Sequence, residues 1–491
     1  MKLEPTRTRW VVFAAFGLMI AMGPTASAQI TVVNMIPNAQ SNETGQDSEP
    51  NLSVNPNNTQ QIAGSAFTVN PTGATTTAPI FVSTNGGTSW AMNNIVPSGN
   101  GSTGDITLRF AGPLNRLYAG TLRGGSGLTL NILRTTNFTS ATTMTLLRSR
   151  ANVDQPYVQA LTLPLTTNDG VYVGNNDFGA AGGQTATIDR TTNGNASVPS
   201  FVSARLDPRA TCGQDGPPIR TAIHGSGKIY AIYYRYRAPS PCVSPLATDV
   251  VVVRDDGFAL SAPYFSALTD PSDGLVGRIV ASNIRVPFIN SSQSTFGQER
   301  FVSSNVSIAV DPTNSSRVYV AWADYPGGAP PYTLHVRRSD NQGVTWSADL
   351  ITISNATNPA LAVNNAGKVA FLYQLNTPQG VPLANQRWET HIRRSVNLGV
   401  VWDDTILANT SAATPTATFI PYLGDYVHVQ AIGKDFYGIF SASNFPTLAN
   451  FPQGVTYQRN ANFATNQLFR IDGVTPVAVS IDPFFFRIVE P

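Results

Sequence analysis

Val336-Arg337-Arg338-Ser339-Asp340-Asn341-Gln342-Gly343-Val344-Thr345-Trp346 is the stretch from which the chain's organisation can be read. It follows an alternating strand (Tyr332, Leu334, Val336) and turns through a polar Ser-x-Asn-x-Gly-x-Thr segment onto a tryptophan. The residue types suit a tight hairpin turn. Asn341 can hydrogen-bond back to its own backbone, Gly343 can take positive φ, and Trp346 can leave the turn for an apolar seam. The same turn recurs at Ser83-Thr84-Asn85-Gly86-Gly87-Thr88-Ser89-Trp90 and at Ser395-Val396-Asn397-Leu398-Gly399-Val400-Val401-Trp402. Looser echoes begin at Thr135 and Thr191. Recurrence of this kind marks a repeat protein.

Working outward, each unit opens on a polar or acidic residue, often beside proline, followed by an apolar strand. A second strand rich in Tyr, Val and Ala comes next, and a third runs into the polar turn. The clearest case is Val306-Ser307-Ile308-Ala309-Val310-Asp311-Pro312, then Val318 to Trp322, then the quoted stretch. Unit starts fall near residues 49, 105, 154, 215, 305, 358 and 425, with spacings of 56, 49, 61, 90, 53 and 67. The long spacing marks an insertion around 256–303, and in that unit Asp255-Asp256-Gly257 has lost the turn motif. Units of this size with three or four strands predict an all-β fold, a β-propeller of four-stranded antiparallel blades. Seven blades are counted, or six if the degenerate last unit is only a closing strand. That unit has Val455-Thr456-Tyr457 as its third strand, and the tail from Leu468 to Ile488, with Thr31 to Met35, is available to complete it.

Composition agrees. Of 491 residues only 12% are charged, and the formal charge is +2. Residues 1–28 read as a secretory signal: Lys2, Arg7 and Arg9, an apolar run from Trp10 to Gly23, and Ala26-Ser27-Ala28 as the cleavage site. Cleavage after Ala28 leaves a near-neutral mature domain of residues 29–491, secreted or periplasmic, with no apolar run able to span a bilayer. Near-neutrality argues against a general nucleic-acid or acidic-membrane binder. In an exported chain Cys212 and Cys242 are expected to pair, closing a loop around the strands from Ile219 to Arg237.

The Ser-x-Asn-x-Gly-x-Thr-Trp turns resemble the Asp-box, or bacterial neuraminidase repeat, and the chain resembles the sialidase-like propeller superfamily over nearly its whole mature length. The segment from Val306 to Asp324 looks typical of exported bacterial members. The resemblance implies a fold, not an activity. It also implies that Ser83, Asn85, Gly87, Trp90, Ser339, Asn341, Gly343, Trp346, Ser395, Asn397, Gly399 and Trp402 are structural, lying on outer hairpins away from the central site. Asn stands where the name residue would be Asp, and Asn can make the same turn.

In a propeller the starts of the innermost strands face the central channel at one end. That register gathers Glu49, Asp105, Asp154, Asp215 and Asp425, with Tyr157, Tyr422 and Tyr426 beside them. Such carboxylates could supply an acid and a base or nucleophile, hold a cation such as calcium, or cap strand-end N–H groups. Family members with sialidase activity use three arginines, a Tyr–Glu pair and an Asp. Arg109, Arg220 and Arg300 are candidates for the arginines, but the Phe-Arg-Ile-Pro-like stretch is replaced by Gly45-Gln46-Asp47-Ser48-Glu49-Pro50. His428 is the one histidine expected near the channel, and a Tyr–His pair would suit a polysaccharide lyase. Trp322, Tyr325, Tyr332, Tyr373 and Trp388 are either sugar platforms or core. No cofactor motif is present. The expectation is a monomeric glycan-active propeller, a glycoside hydrolase or less readily a lyase, or else a non-catalytic scaffold that binds a glycan or protein.

Overall fold

The computed structural model describes residues 1–2, 28–74, 76–99, 101–123, 128–179, 185–207, 219–237, 245–287, 305–378, 380–415 and 423–491. The leader, Cys212, Cys242, Asp215, Arg300 and Tyr422 lie outside the described residues, and so do the expectations placed on them.

The fold is an all-β propeller. Six sheets are four-stranded antiparallel meanders in chain order, beginning with the strands Asn51–Val54, Ile106–Ala111, Val153–Thr162, Ile219–Ile223, Val306–Asp311 and Ala356–Val363. A further sheet begins with His428–Ile432, and a small three-stranded sheet lies near the C-terminus. The inner strands neighbour one another in sequence order, and the strand 428–432 returns to pack against 51–54, which closes the cycle.

Why these segments are strands follows from what lies on each side of them. In Ile229–Tyr236 the residues Ile229, Ala231 and Tyr233 enter the apolar cluster shared with the preceding sheet. Tyr230, Ile232, Tyr234 and Tyr236 enter the cluster shared with the next. A strand covered on both faces reads as a continuous apolar run, which is what the Tyr/Val/Ala-rich second strands are. Apolar clusters fill the gaps between successive sheets all the way round, from the first and second to the seventh and first.

Inner strands have one edge towards the channel, and their N–H groups need partners there. Side chains of the preceding sheet supply them. Gln430 Oε1 accepts from Val54 N at 3.0 Å, Asn51 Oδ1 from Leu108 N at 2.9 Å, and Ser53 Oγ from Phe110 N at 2.8 Å. Thr107 Oγ1 accepts from Val158 N at 2.8 Å and Ser307 Oγ from Leu361 N at 3.0 Å.

The last sheet differs from the sequence expectation. Its third strand is not Val455-Thr456-Tyr457 but Ile481–Val489, which pairs with Asp435–Ser443. Gln29–Asn34 forms the next strand outward, and Thr456–Tyr457 pairs parallel to it as a fifth. The Phe484, Phe485 and Phe486 run explains the outcome: Phe485 faces the first sheet and its neighbours face the sixth, so this strand carries far more apolar surface inward. Within 256–303, Arg278–Val286 is the outer strand of the fourth sheet.

The polar turns all sit between third and fourth strands, at the end opposite the inner-strand starts. In the second copy Asn341 Oδ1 accepts from Ser339 Oγ at 3.0 Å and Thr345 N at 2.9 Å, and Gly343 N donates to Ser339 Oγ at 2.8 Å. Asn85 with Ser83 and Gly87, and Asn397 with Ser395 and Gly399, make the same bonds. The asparagine amide also bonds the hydroxyl two residues past the glycine: Asn341 Nδ2 donates to Thr345 Oγ1 at 2.9 Å and Asn85 Nδ2 to Ser89 Oγ at 2.6 Å, contacts an aspartate would make as acceptor. The tryptophans lock the turns, with Trp90 and Trp402 Nε1 donating to the Gly87 and Gly399 carbonyls at 3.1 and 2.9 Å. Trp346 is half-buried against the cluster between the fourth and fifth sheets. In the fourth sheet Asp255 takes the serine's place, its Oδ1 accepting from Gly257 N and Ala259 N. No helix among the described residues is long and apolar enough to cross a membrane.

Candidate functional site

The inner-strand starts do converge on one mouth. Three of them share a local device: Glu49-Pro50, Gln155-Pro156 and Asn358-Pro359 each place a non-glycine residue at positive φ (54°, 54° and 57°) directly before proline. Such a backbone is costly for a side-chain-bearing residue and is held only by its surroundings. Here the surroundings are polar bonds within and between sheets. Asn358 Nδ2 donates to Gln374 Oε1 at 2.9 Å and to the Gly424 carbonyl at 3.0 Å. Gln155 Nε2 donates to Asp425 Oδ2 at 3.3 Å. Gly424, at φ +82°, presses against Glu49, so a Cβ there would lie 2.5 Å from Glu49 Cγ.

Around this rim the structure brings together Glu49, Asp105, Asp425, Tyr426, Tyr157, Arg220, Arg109 and His428. The Arg220 guanidinium lies over the Tyr157 ring at 4.9 Å and the Tyr426 ring at 5.6 Å, a cation between two aromatic faces. Burial, with the carboxylates of Asp105, Glu49 and Asp425 nearby, pushes the Tyr426 phenol well above its ordinary value, against the pull of Arg220. Deeper in the channel, Arg109 Nη2 lies 3.1 Å from His428 Nε2. Burial, then the charges of Arg109 and Arg220, drive the His428 imidazole well below its ordinary 6.5. The ring is therefore neutral, with Nε2 accepting from Arg109 and Nδ1 carrying the proton, and Nδ1 has no partner among the described residues.

Asp154 plays a more local part. Its Oδ1 accepts from the Gln155 backbone N–H at 2.8 Å, the strand-end capping role. Gln155 itself, which reaches Asp425 in its stead, was the residue that composition alone passed over. The signal for it was the repeated polar-Pro pair at unit starts.

Open space at the mouth is small. The cavity lined by Tyr157, Arg220, Asp425, Tyr426 and His428 holds about 20 Å³, whereas the opposite end of the channel, reached past Arg109, Tyr157 and His428, holds about 260 Å³. A larger hollow of about 610 Å³ lies away from the axis, between the fourth and fifth sheets, over Trp322, His335 and Arg337. It offers no bare aromatic platform: Trp322 is stacked by His335 at 5.0 Å and covered by Arg337 at 5.0 Å. Tyr325, Tyr332, Tyr373 and Trp388 are likewise buried core.

No family model matches the chain, and no curated protein matches it in sequence. Among solved structures, it is similar to a Penicillium chrysogenum alpha-L-arabinanase complexed with arabinobiose (12% identity, 93% of this chain and 98% of that one, TM-score 0.43). A polysaccharide lyase of family PL25, an ulvan lyase, gives 10% identity over 81% of this chain and 92% of that one, with a TM-score of 0.46. The GH74 enzyme of Niastella koreensis gives 14% identity over 83% and 64%, with a TM-score of 0.40.

Proposed function

We propose that the chain is an exported, seven-bladed, sialidase-like propeller that acts on acidic glycans at the rim of its channel, as a glycoside hydrolase. One observation carries this reading: Tyr426 sits among the carboxylates of Glu49, Asp105 and Asp425, with the Arg220 cation over its ring. A guanidinium recognises a sugar carboxylate. A phenol beside a carboxylate is a nucleophile with its own base, and a further carboxylate supplies the acid. In this assignment Arg220 binds the substrate carboxylate, Tyr426 attacks with Glu49 as its base, and Asp425 or Asp105 protonates the leaving oxygen. Tyr157 flanks the sugar.

A second reading is a binding or scaffold propeller without turnover. The small free volume among Tyr157, Arg220, Asp425 and Tyr426 favours it, because a sugar ring would have to lie above this layer.

The test is product release from sialosides, other glycosides and uronic-acid polysaccharides, by the wild type and by Tyr426→Phe and Asp425→Asn. Hydrolysis that both variants reduce at least 100-fold supports the first reading. An unsaturated product that depends on His428 and Tyr157 would instead make the protein a lyase. Binding without turnover, weakened by Arg220→Ala, would establish the scaffold.

A further inference from the structure

The seam where the ring closes contains a second group of acids, remote in sequence from the rim candidates. Glu43 and Asp47 lie on the segment that leads from the outer strand Gln29–Asn34 to the first inner strand, and Asp482 lies on the strand Ile481–Val489. All three are buried, and one carboxylate oxygen from each falls within 4.8 Å of the others. Arg459 supplies one cation, reaching Asp482 at 2.9 and 3.1 Å. Fully ionised, the three carboxylates and one guanidinium carry two negative charges without a counter-charge.

The partners of each acid are uneven in an informative way. Asp482 is saturated, accepting also from Asn34 Nδ2 at 2.8 Å and Asn444 Nδ2 at 2.7 Å. Asp47 Oδ1 accepts from Thr68 Oγ1 at 2.8 Å, and Glu43 Oε1 accepts from Gly45 N. The second oxygens, Asp47 Oδ2 and Glu43 Oε2, are buried with no donor among the described residues. Each of these two acids thus has one oxygen anchored and one without a donor, in a cluster where the three carboxylates approach within 4.8 Å. Buried carboxylate oxygens left in this state are expensive unless a proton or a cation takes them up.

We propose that Glu43, Asp47 and Asp482 form a binding site for a hard divalent cation, calcium in preference to magnesium, that latches the closing seam of the propeller. Oxygen donors alone select calcium, magnesium or manganese over softer metals. A dry, irregular set of carboxylates suits calcium, which accepts varied geometry, better than magnesium, which gives up its water reluctantly. Glu43 and Asp47 supply the open ligand oxygens, and Asp482 closes the third side. Bound there, the ion ties the N-terminal segment to the C-terminal strand that Arg459 and Asn34 already hold.

The rival is a proton shared between Glu43 and Asp47. The purified chain, passed through EDTA and desalted, is titrated with calcium chloride or magnesium chloride while Tm is followed, and retained metal is measured by mass spectrometry after gel filtration. Expected are about one calcium per chain, a rise of a few degrees in Tm with calcium, and a smaller rise with magnesium. Glu43→Gln/Asp47→Asn should retain no calcium and show no calcium response, yet melt above the metal-free wild type because the uncompensated charges are gone. Asp154→Asn/Asp425→Asn, which alters the rim, should keep the full response. If the seam variant does not fold, the wild-type calcium content and the Asp47→Asn single variant decide. A wild type that retains no metal and melts identically with and without millimolar calcium overturns the proposal in favour of the shared proton. So does a response lost in the rim variant and kept in the seam variant.

Discussion

Arg109 Nη2 and His428 Nε2 meet at 3.1 Å inside the channel, joining the inner strands of the second and seventh sheets. Arginine can only donate, so the imidazole must stay neutral for the bond to exist. Its folded pKa lies well below the ordinary 6.5, for reasons of burial and of the two nearby guanidinium groups.

That sets a sign for acid stability. Below about pH 6.5 the unfolded histidine takes up a proton that the folded one refuses, so stability falls as pH falls, by about 1.4 kcal/mol per unit from this group. His428→Asn should remove that slope. Urea unfolding of both proteins at pH 5, 6 and 7 measures it, and equal slopes would show that His428 is protonated in the folded state.

His335 has the opposite sign. Burial pulls its pKa down, but hydrogen bonds to Asp324 and Asp349 prevail and hold it at about 9. The imidazolium therefore stabilises the fold fully below about pH 6.5, and the contribution fades as pH rises towards 9. The stability gap between wild type and His335→Gln should shrink over that window. A gap that stays constant from pH 6 to pH 9.5 would mean the ring acts only by stacking on Trp322.

The polar turns offer an internal control. Asn341→Asp reverses the contact, since the Thr345 hydroxyl can donate to the carboxylate, and should be within about 0.5 kcal/mol of wild type or more stable. Asn397→Asp loses nothing and gains nothing because Val401 has no hydroxyl, and Asn341→Ala should cost about 1 kcal/mol. Denaturant unfolding checks this, and a loss of about 1 kcal/mol or more in Asn341→Asp would show that the Thr345 hydroxyl cannot turn to donate.

Gly87 lies at φ +86°, and a Cβ there would be 2.2 Å from the ring of Phe485. Gly87→Ala combines left-handed strain with a clash at the seam between the first and last sheets, and should cost about 3 kcal/mol. Gly73→Ala shares a positive φ but meets nothing within 4 Å, so it should cost about 1 kcal/mol. Calorimetry on both separates the two effects.

How much of this was legible in the sequence depends on range. The turns around Asn85, Asn341 and Asn397 were readable because every bond they make is local. The unit starts were readable because a polar residue before proline recurs at equivalent places, and that register did bring Glu49, Asp105, Asp425 and Tyr426 to one rim. Asp154 met the bland alternative of capping its own strand end. What could not be read were partners chosen by closure of the ring. Nothing local tells His428 that Arg109 will face it, or tells Glu43 and Asp47 that Asp482 will. The last sheet was misordered for the same reason: Thr456–Tyr457 is near in sequence, but Ile481–Val489 has the better two-faced apolar pattern.

That strand order bears on how the protein is made. Ile481–Val489 lies between Asp435–Ser443 and Gln29–Asn34, so the strand Gln29–Asn34 has no lateral neighbour until nearly the last strand has arrived. During synthesis the sheets already formed would make an open arc with an uncovered apolar face at each end. A chaperone that shields apolar surface would act on this arc, and a cut that removes the final strand would leave both ends of it exposed.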